Sequence, residues 1–109
     1  MTAERPENPF DLRGRTALVT GGAGLLGPRH AEALLGAGAT VILADVDPRR
    51  LERVASELEA RTGRRPDVEV MDVTDEASVR GVAERRNTAP ARVDILVNNA
   101  ARNPAVKAD

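Results

Sequence analysis

An α/β fold built on a doubly wound parallel sheet is the class this sequence predicts, and three observations predict it. Short β-like runs and longer helix-like stretches alternate as β-α-β-α-β-α-β. The β-like runs are near-continuously apolar, the pattern of strands covered on both faces. A glycine-rich turn joins the first of these strands to the first helix.

Residues 1–11 carry Pro6 and Pro9 and read as a loose tail. Thr16-Ala17-Leu18-Val19-Thr20 is the first strand, entered through Gly14 and left through Gly21-Gly22. In the first helix, Leu26, Ala31, Leu34 and Leu35 recur at roughly helical spacing, Pro28 is tolerable in the opening turn, and Gly36 and Gly38 close it. Val41-Ile42-Leu43-Ala44-Asp45 is the second strand. Asp47-Pro48 opens the second helix, Leu51, Val54, Ala55 and Leu58 form its apolar stripe, and Gly63 stops it. Val68-Glu69-Val70-Met71-Asp72 is the third strand. Thr74 is the expected N-cap of the third helix, Asp75 and Glu76 suit its positive end, and Val79, Val82 and Ala83 are its expected buried stripe. Val93-Asp94-Ile95-Leu96-Val97-Asn98 is the fourth strand.

Alternation of this kind implies right-handed crossovers and a strand order of 3-2-1-4. That is half of a doubly wound sheet plus one strand, so the fold is expected to be truncated after the fourth strand, with residues 12–103 as a half-domain and 104–109 as a short tail. The fourth strand would then end the sheet without the charges or proline that normally guard an edge. Either self-association or a missing C-terminal half covers it, or the product is expected to be poorly soluble.

A chain of 109 residues suits one domain. Its formal net charge of −1 gives no electrostatic case for binding nucleic acid or a membrane surface. With no cysteine there is no disulfide, thiol nucleophile or zinc-thiolate site, and no metal set is expected. With no tyrosine there is no phenolic acid or base. His30 is the single imidazole and reads as exposed or locally paired. No apolar run approaches the ~20 residues of a membrane helix, and no signal-peptide core is present. The expectation is a soluble, cytoplasmic chain.

Directly after the first strand stands Thr20-Gly21-Gly22-Ala23-Gly24-Leu25-Leu26-Gly27, in which Gly22, Gly24 and Gly27 satisfy G-x-G-x-x-G. In such a turn one glycine permits the bend, another lets backbone approach a pyrophosphate, and the last lets the helix sit close on the strand. Unpaired amides at the helix start, here within Gly21 to Gly27, then face the phosphates. Asp45 ends the second strand near the ~20-residue spacing of a carboxylate that bonds ribose hydroxyls. Together these are the features of a Rossmann-type dinucleotide site, against the alternative of structural glycines and a solvated Asp45. A carboxylate there repels a 2′-phosphate, which favours NAD over NADP. Arg49 and Arg50 follow closely enough to weaken that preference, although they also read as an exposed helix face.

The chain resembles a short-chain dehydrogenase/reductase through three motifs, in order, across about residues 12–103. The first is the turn from Thr20 to Gly27; the second is Asp72-Val73-Thr74-Asp75. The third is Asp94-Ile95-Leu96-Val97-Asn98-Asn99-Ala100-Ala101, similar to the family's Asn-Asn-Ala-Gly. The resemblance implies that Asp72 bonds the adenine amino group and the Val73 amide meets the ring. It also implies that Asn98, Asn99 and Ala100 support the sheet and line the cofactor's ribose side. Two departures stand out. The glycine spacing resembles the extended branch, which includes sugar-nucleotide epimerases, with Leu25 where the simple branch has its middle glycine. Ala101 replaces the usual glycine, with a small effect expected. The Asp72 and Asn98-Asn99-Ala100 motifs belong to the simple branch, which is therefore favoured.

The resemblance further implies reversible hydride transfer between a nicotinamide and an alcohol/carbonyl pair. The family's serine and Tyr-x-x-x-Lys pair lie downstream of the Asn-Asn-Ala motif, in members of about 250 residues. Ser56 and Ser78 fall within helices and Lys107 in a tail, so none takes over those roles, and this chain alone is expected to be inactive. The last helices of that fold, the usual dimer interface, are not in this sequence, so weak stability is expected, with a bound cofactor adding to it. A non-catalytic nucleotide-binding module, half of a split enzyme and an epimerase fragment are the alternatives.

Overall fold

The computed structural model describes residues 11–86 and 92–99. The elements are β1 (Thr16–Thr20), α1 (Gly27–Gly36), β2 (Thr40–Asp45), α2 (Pro48–Thr62), β3 (Asp67–Val70), α3 (Glu76–Arg86) and β4 (Ile95–Asn98). The strands form one sheet in the order β3-β2-β1-β4, every neighbouring pair parallel. This is the predicted Rossmann-type topology.

Side chains on a strand alternate between faces, and the sheet sorts them into two cores. Val19, Val41 and Leu43 face α1 and α2, where they pack with Ala31, Leu35, Leu51, Val54, Ala55 and Leu58. Ala44 lies on the opposite face with Met71 and Val82 beneath α3. The expected stripe of α2 is buried in full. Asp47 caps this helix by accepting from the Arg49 and Arg50 amides at 3.0 and 3.3 Å, and Gly63 ends it in the left-handed region at φ 80°, where only glycine is unstrained. Each large side chain of that stripe contributes ~1.5–3 kcal/mol of burial. In α1 Pro28 falls in the first turn as expected, and Ala31 and Leu35 are buried. Leu34 is half-buried and Leu26, expected in the stripe, is exposed because it occupies the N-cap outside the helix proper.

Further differences lie in the second half. Both β3 and β4 are shorter than expected. After Val70 the Met71 amide still donates to the Asp45 carbonyl at 2.8 Å, but Asp72 turns back to accept from the Thr74 amide and hydroxyl, which takes the chain out of the sheet. Before β4, the Asp94 carboxylate itself accepts from the Thr16 amide at 2.9 Å, a side-chain substitute for a ladder bond. Asp75, not Thr74, caps α3: its carboxylate accepts from the Ala77 amide at 3.0 Å, while the Thr74 hydroxyl is committed to Asp72.

Nor are β3 and β4 covered on both faces. Leu96 remains 62% exposed. A groove of about 480 Å³ opens beside α3, lined by Leu18, Met71, Val79, Val82, Ala83 and Leu96 among others. Of the expected stripe of α3, Val82 is buried, Val79 half-buried and Ala83 exposed, because that stripe faces the groove. Ion pairs fix the helix instead. Arg85 and Arg86 bond the Glu69 carboxylate at 2.9 and 2.6 Å, and Arg86 also reaches Asp67 at 3.2 Å. Burial alone would raise the Glu69 pKa, but the hydrogen bonds from Arg85 and Arg86 outweigh it and hold the carboxyl below its usual value. Among the described residues, no helix is long and apolar enough to cross a membrane.

Candidate functional site

The carboxyl ends of all the strands meet at one edge of the sheet, because parallel pairing keeps their directions aligned. Thr20 pairs with Ala44 on one side and Asn98 on the other, and Asp45 pairs with Val70. Each predicted site residue within the described part belongs to a strand end, to the turn that follows it or, for Gly27, to the first position of α1. Ala100 and Ala101 lie outside the described residues, as does Lys107.

The glycine turn is built by close approach. Gly21 takes the positive φ, 65°, that makes the bend. A Cβ on Gly22 would stand 2.8 Å from the Leu43 Cβ, so this glycine lets the turn cross β2, and its amide donates to the Ala44 carbonyl at 2.9 Å. A Cβ on Gly27 would stand 2.2 Å from the Gly21 carbonyl oxygen, so α1 can start this close to β1 only through glycine. Gly24 differs: its Cβ would meet only the Gly21 oxygen, at 3.3 Å. The turn there is otherwise open. The bending role thus falls to Gly21, ahead of the three motif glycines.

At the start of α1 the Leu26 N-cap supplies no side-chain acceptor. Among the described residues, the amides of Leu25, Leu26 and Gly27 have no acceptor. Amides left over at a helix start, together with the positive end of its dipole, favour an anion. The Leu25 and Leu26 side chains stand exposed at 90% and 52%, so those positions contribute backbone rather than packing.

Asp45 joins this turn directly. One carboxylate oxygen accepts from the Ala23 amide at 2.9 Å and the other from the Val46 amide at 2.7 Å. Carboxylate oxygens hold more than one acceptor site each, so both can still take hydroxyl donors. Arg50 reaches back from α2, its Nη2 donating to the Ala23 carbonyl at 2.9 Å. Asp72 stands beyond the end of β3, its amide donating to the Ser78 hydroxyl at 3.0 Å, and Val73 beside it is 41% exposed. On the other side, the Asn99 amide donates to the Thr20 hydroxyl at 3.0 Å, the Asn99 side chain reaches the Gly21 carbonyl at 3.4 Å, and Thr20 Oγ1 lies 3.2 Å from Asn98 Oδ1.

Thr20, Arg50 and Ser78 were not among the predicted site residues. Thr20 is the buried polar group of the described core, and its place at the end of an apolar strand beside Gly21 was the available signal. Ser56 bonds Arg65 away from this edge, and His30 is exposed. Among the described residues, no group of three or more His, Cys, Asp or Glu is placed to hold a metal ion.

The glycine turn after β1, Asp45 at the end of β2 and the Asn98-Asn99 pair at the end of β4 thus meet at one edge of a parallel sheet. A family model described as short chain dehydrogenase matches residues 15–109, and the chain belongs to that family. It is 40% identical over 95 residues to the short chain dehydrogenase/reductase dpchG of Colletotrichum higginsianum, covering 87% of this chain and 35% of that relative. Among solved structures, it is similar to 2-keto-3-deoxy-D-gluconate dehydrogenase from Streptococcus agalactiae, with a TM-score of 0.81 at 30% identity over 94% of this chain and 38% of that one. L-sorbose reductase from Gluconobacter frateurii, complexed with NADPH and L-sorbose, gives a TM-score of 0.77 at 30% identity over 85% of this chain and 35% of that one. The chain therefore spans well under half the length of each of these relatives.

Proposed function

We propose that this chain is the dinucleotide-binding portion of an NAD(P)-dependent short-chain oxidoreductase and that it takes NAD in preference to NADP. In the whole protein the reaction would be hydride transfer between a nicotinamide and an alcohol/carbonyl pair, with the nicotinamide supplying the hydride chemistry. The observation that carries this reading is the Asp45 carboxylate seated on the Ala23 amide at the head of the glycine turn. It supports the reading because a carboxylate suited to ribose hydroxyls then lies beside amides suited to a diphosphate.

The residues present fit such a group. At Gly24 only the Gly21 oxygen lies near the Cβ position, and on this open side the Leu25, Leu26 and Gly27 amides would hold a diphosphate. Asp45 would accept from the adenosine ribose hydroxyls as charge-assisted bonds, and its charge would oppose a 2′-phosphate. Asp72 and the Val73 amide would meet the adenine. Asn98, Asn99 and Ala100 would line the second ribose. The serine and Tyr-x-x-x-Lys pair of the family have no counterpart in these 109 residues, so the chain alone is proposed to bind without turning over.

NADH and NADPH titrations of the purified chain, followed by nicotinamide fluorescence, test this. Saturable NADH binding tighter than NADPH is expected. The Asp45→Asn variant should lose ~10-fold in NADH affinity, the worth of one charge-assisted hydrogen bond, and should narrow the gap between the two nucleotides. No saturable binding would overturn the reading, and tighter NADPH binding would overturn the preference.

A second reading, half of a site completed by another segment or chain, is favoured by exposed Leu96 beside the groove at α3.

A further inference from the structure

We infer that Arg50 is a positioning residue for the glycine turn, fixing the peptide that decides whether amides or a carbonyl face the anion. The inference rests on the reading of that turn as a dinucleotide site. Two successive peptide units are involved. The amide of the Gly22–Ala23 unit donates to the Asp45 carboxylate at 2.9 Å. In the next unit, the Ala23 carbonyl accepts from Arg50 Nη2 at 2.9 Å, while its Gly24 amide donates to the Gly21 carbonyl at 3.0 Å.

Without Arg50 the second unit keeps a single bond, and the residue that follows the carbonyl is a glycine. Glycine populates both signs of φ readily, so beyond the Gly24–Gly21 bond the backbone offers little resistance to rotation of this unit. A rotated Ala23 carbonyl would bring a negative dipole toward the group that the Leu25–Gly27 amides attract. Arg50 is itself anchored, because its own amide is part of the Asp47 cap at the start of α2. The guanidinium thus ties the second crossover to the first. Arg49, exposed like Arg50, has no such contact among the described residues. The opposing assignment is that Arg50 serves as a 2′-phosphate ligand beside Asp45. The two make different predictions.

The test uses the full chain as wild type, Arg50→Ala and Arg50→Lys, with NADH and NADPH affinities and apo melting temperature measured for each. Positioning predicts that R50A weakens both nucleotides alike, by ~10-fold, with little change in melting temperature, and that R50K recovers part of the loss. Selective loss of NADPH would assign Arg50 to the 2′-phosphate and overturn the proposal, as would unchanged affinity for both. If the wild type binds neither nucleotide, the dinucleotide reading fails, and hydrogen exchange of the Gly24 amide in apo protein decides the positioning role separately. Faster exchange in R50A supports it; an unchanged rate overturns it.

Discussion

The Asn99 backbone amide donates to the Thr20 hydroxyl at 3.0 Å, which joins the end of β4 to the entrance of the glycine turn through a buried side chain. Replacing Thr20 by Val keeps the shape and removes the acceptor. An amide left without its partner costs ~1–3 kcal/mol. T20V is expected to lower the unfolding free energy by that amount, read as a lower urea midpoint at unchanged slope, while Thr20→Ser, which keeps the hydroxyl, should stay near wild type.

Gly27 and Gly24 should separate fold from binding. A methyl at Gly27 meets the Gly21 carbonyl at 2.2 Å, which backbone must move to relieve, so Gly27→Ala is expected to destabilise by ~1–3 kcal/mol or more. At Gly24 the one near atom is 3.3 Å away. Gly24→Ala is expected to stay within ~1 kcal/mol of wild type while losing NADH affinity, because the methyl narrows the open side of the turn. Chemical denaturation and nucleotide titration of both variants check this.

Glu69 makes stability depend on acid. Its carboxyl sits between Arg85 and Arg86, whose hydrogen bonds outweigh burial and hold its pKa below the usual 4.5. A group depressed in the folded state stabilises above its unfolded pKa, and that contribution is lost as pH falls through the folded value. Stability is thus expected to decline below pH 4.5, in the range set by the lowered Glu69 value. Glu69→Gln should be less stable near neutral pH and should show a shallower acid decline in denaturant titrations.

Leu96 places an apolar side chain at 62% exposure on an edge strand. Lysine at such a site discourages pairing between chains. Leu96→Lys is expected to reduce concentration-dependent association in sedimentation without changing NADH affinity. An unchanged association constant would show that this face does not drive contact between copies.

Much of this fold was legible in the sequence because its signals are local. The stripe of Leu51, Val54, Ala55 and Leu58 and the glycine at 63 mark α2 with nothing else needed, and alternation with short apolar runs dictates the strand order. One error falls where distant groups decide, and another where adjacent side chains compete for the same cap. The stripe of α3 reads as buried, but a groove stands over it and ion pairs to β3 hold the helix. Thr74 has the chemistry of a cap, yet its hydroxyl goes to Asp72 and Asp75 caps instead. In the candidate site, the glycines and Asp45 were marked by their spacing, and the Asn98-Asn99 pair by the family resemblance. Arg50 was not, because a long side chain on an exposed helix turn carries no local mark of the carbonyl it reaches.

In the proposed function, one edge of the sheet, from the glycine turn to Asp45, holds a dinucleotide. Amide NMR of the labelled chain titrated with NADH tests it most directly. Shifts concentrated at Ala23 to Gly27, Asp45, Val73 and Asn99 are the predicted result. Saturating shifts that map elsewhere, or a spectrum of folded protein that NADH leaves unchanged, would contradict it.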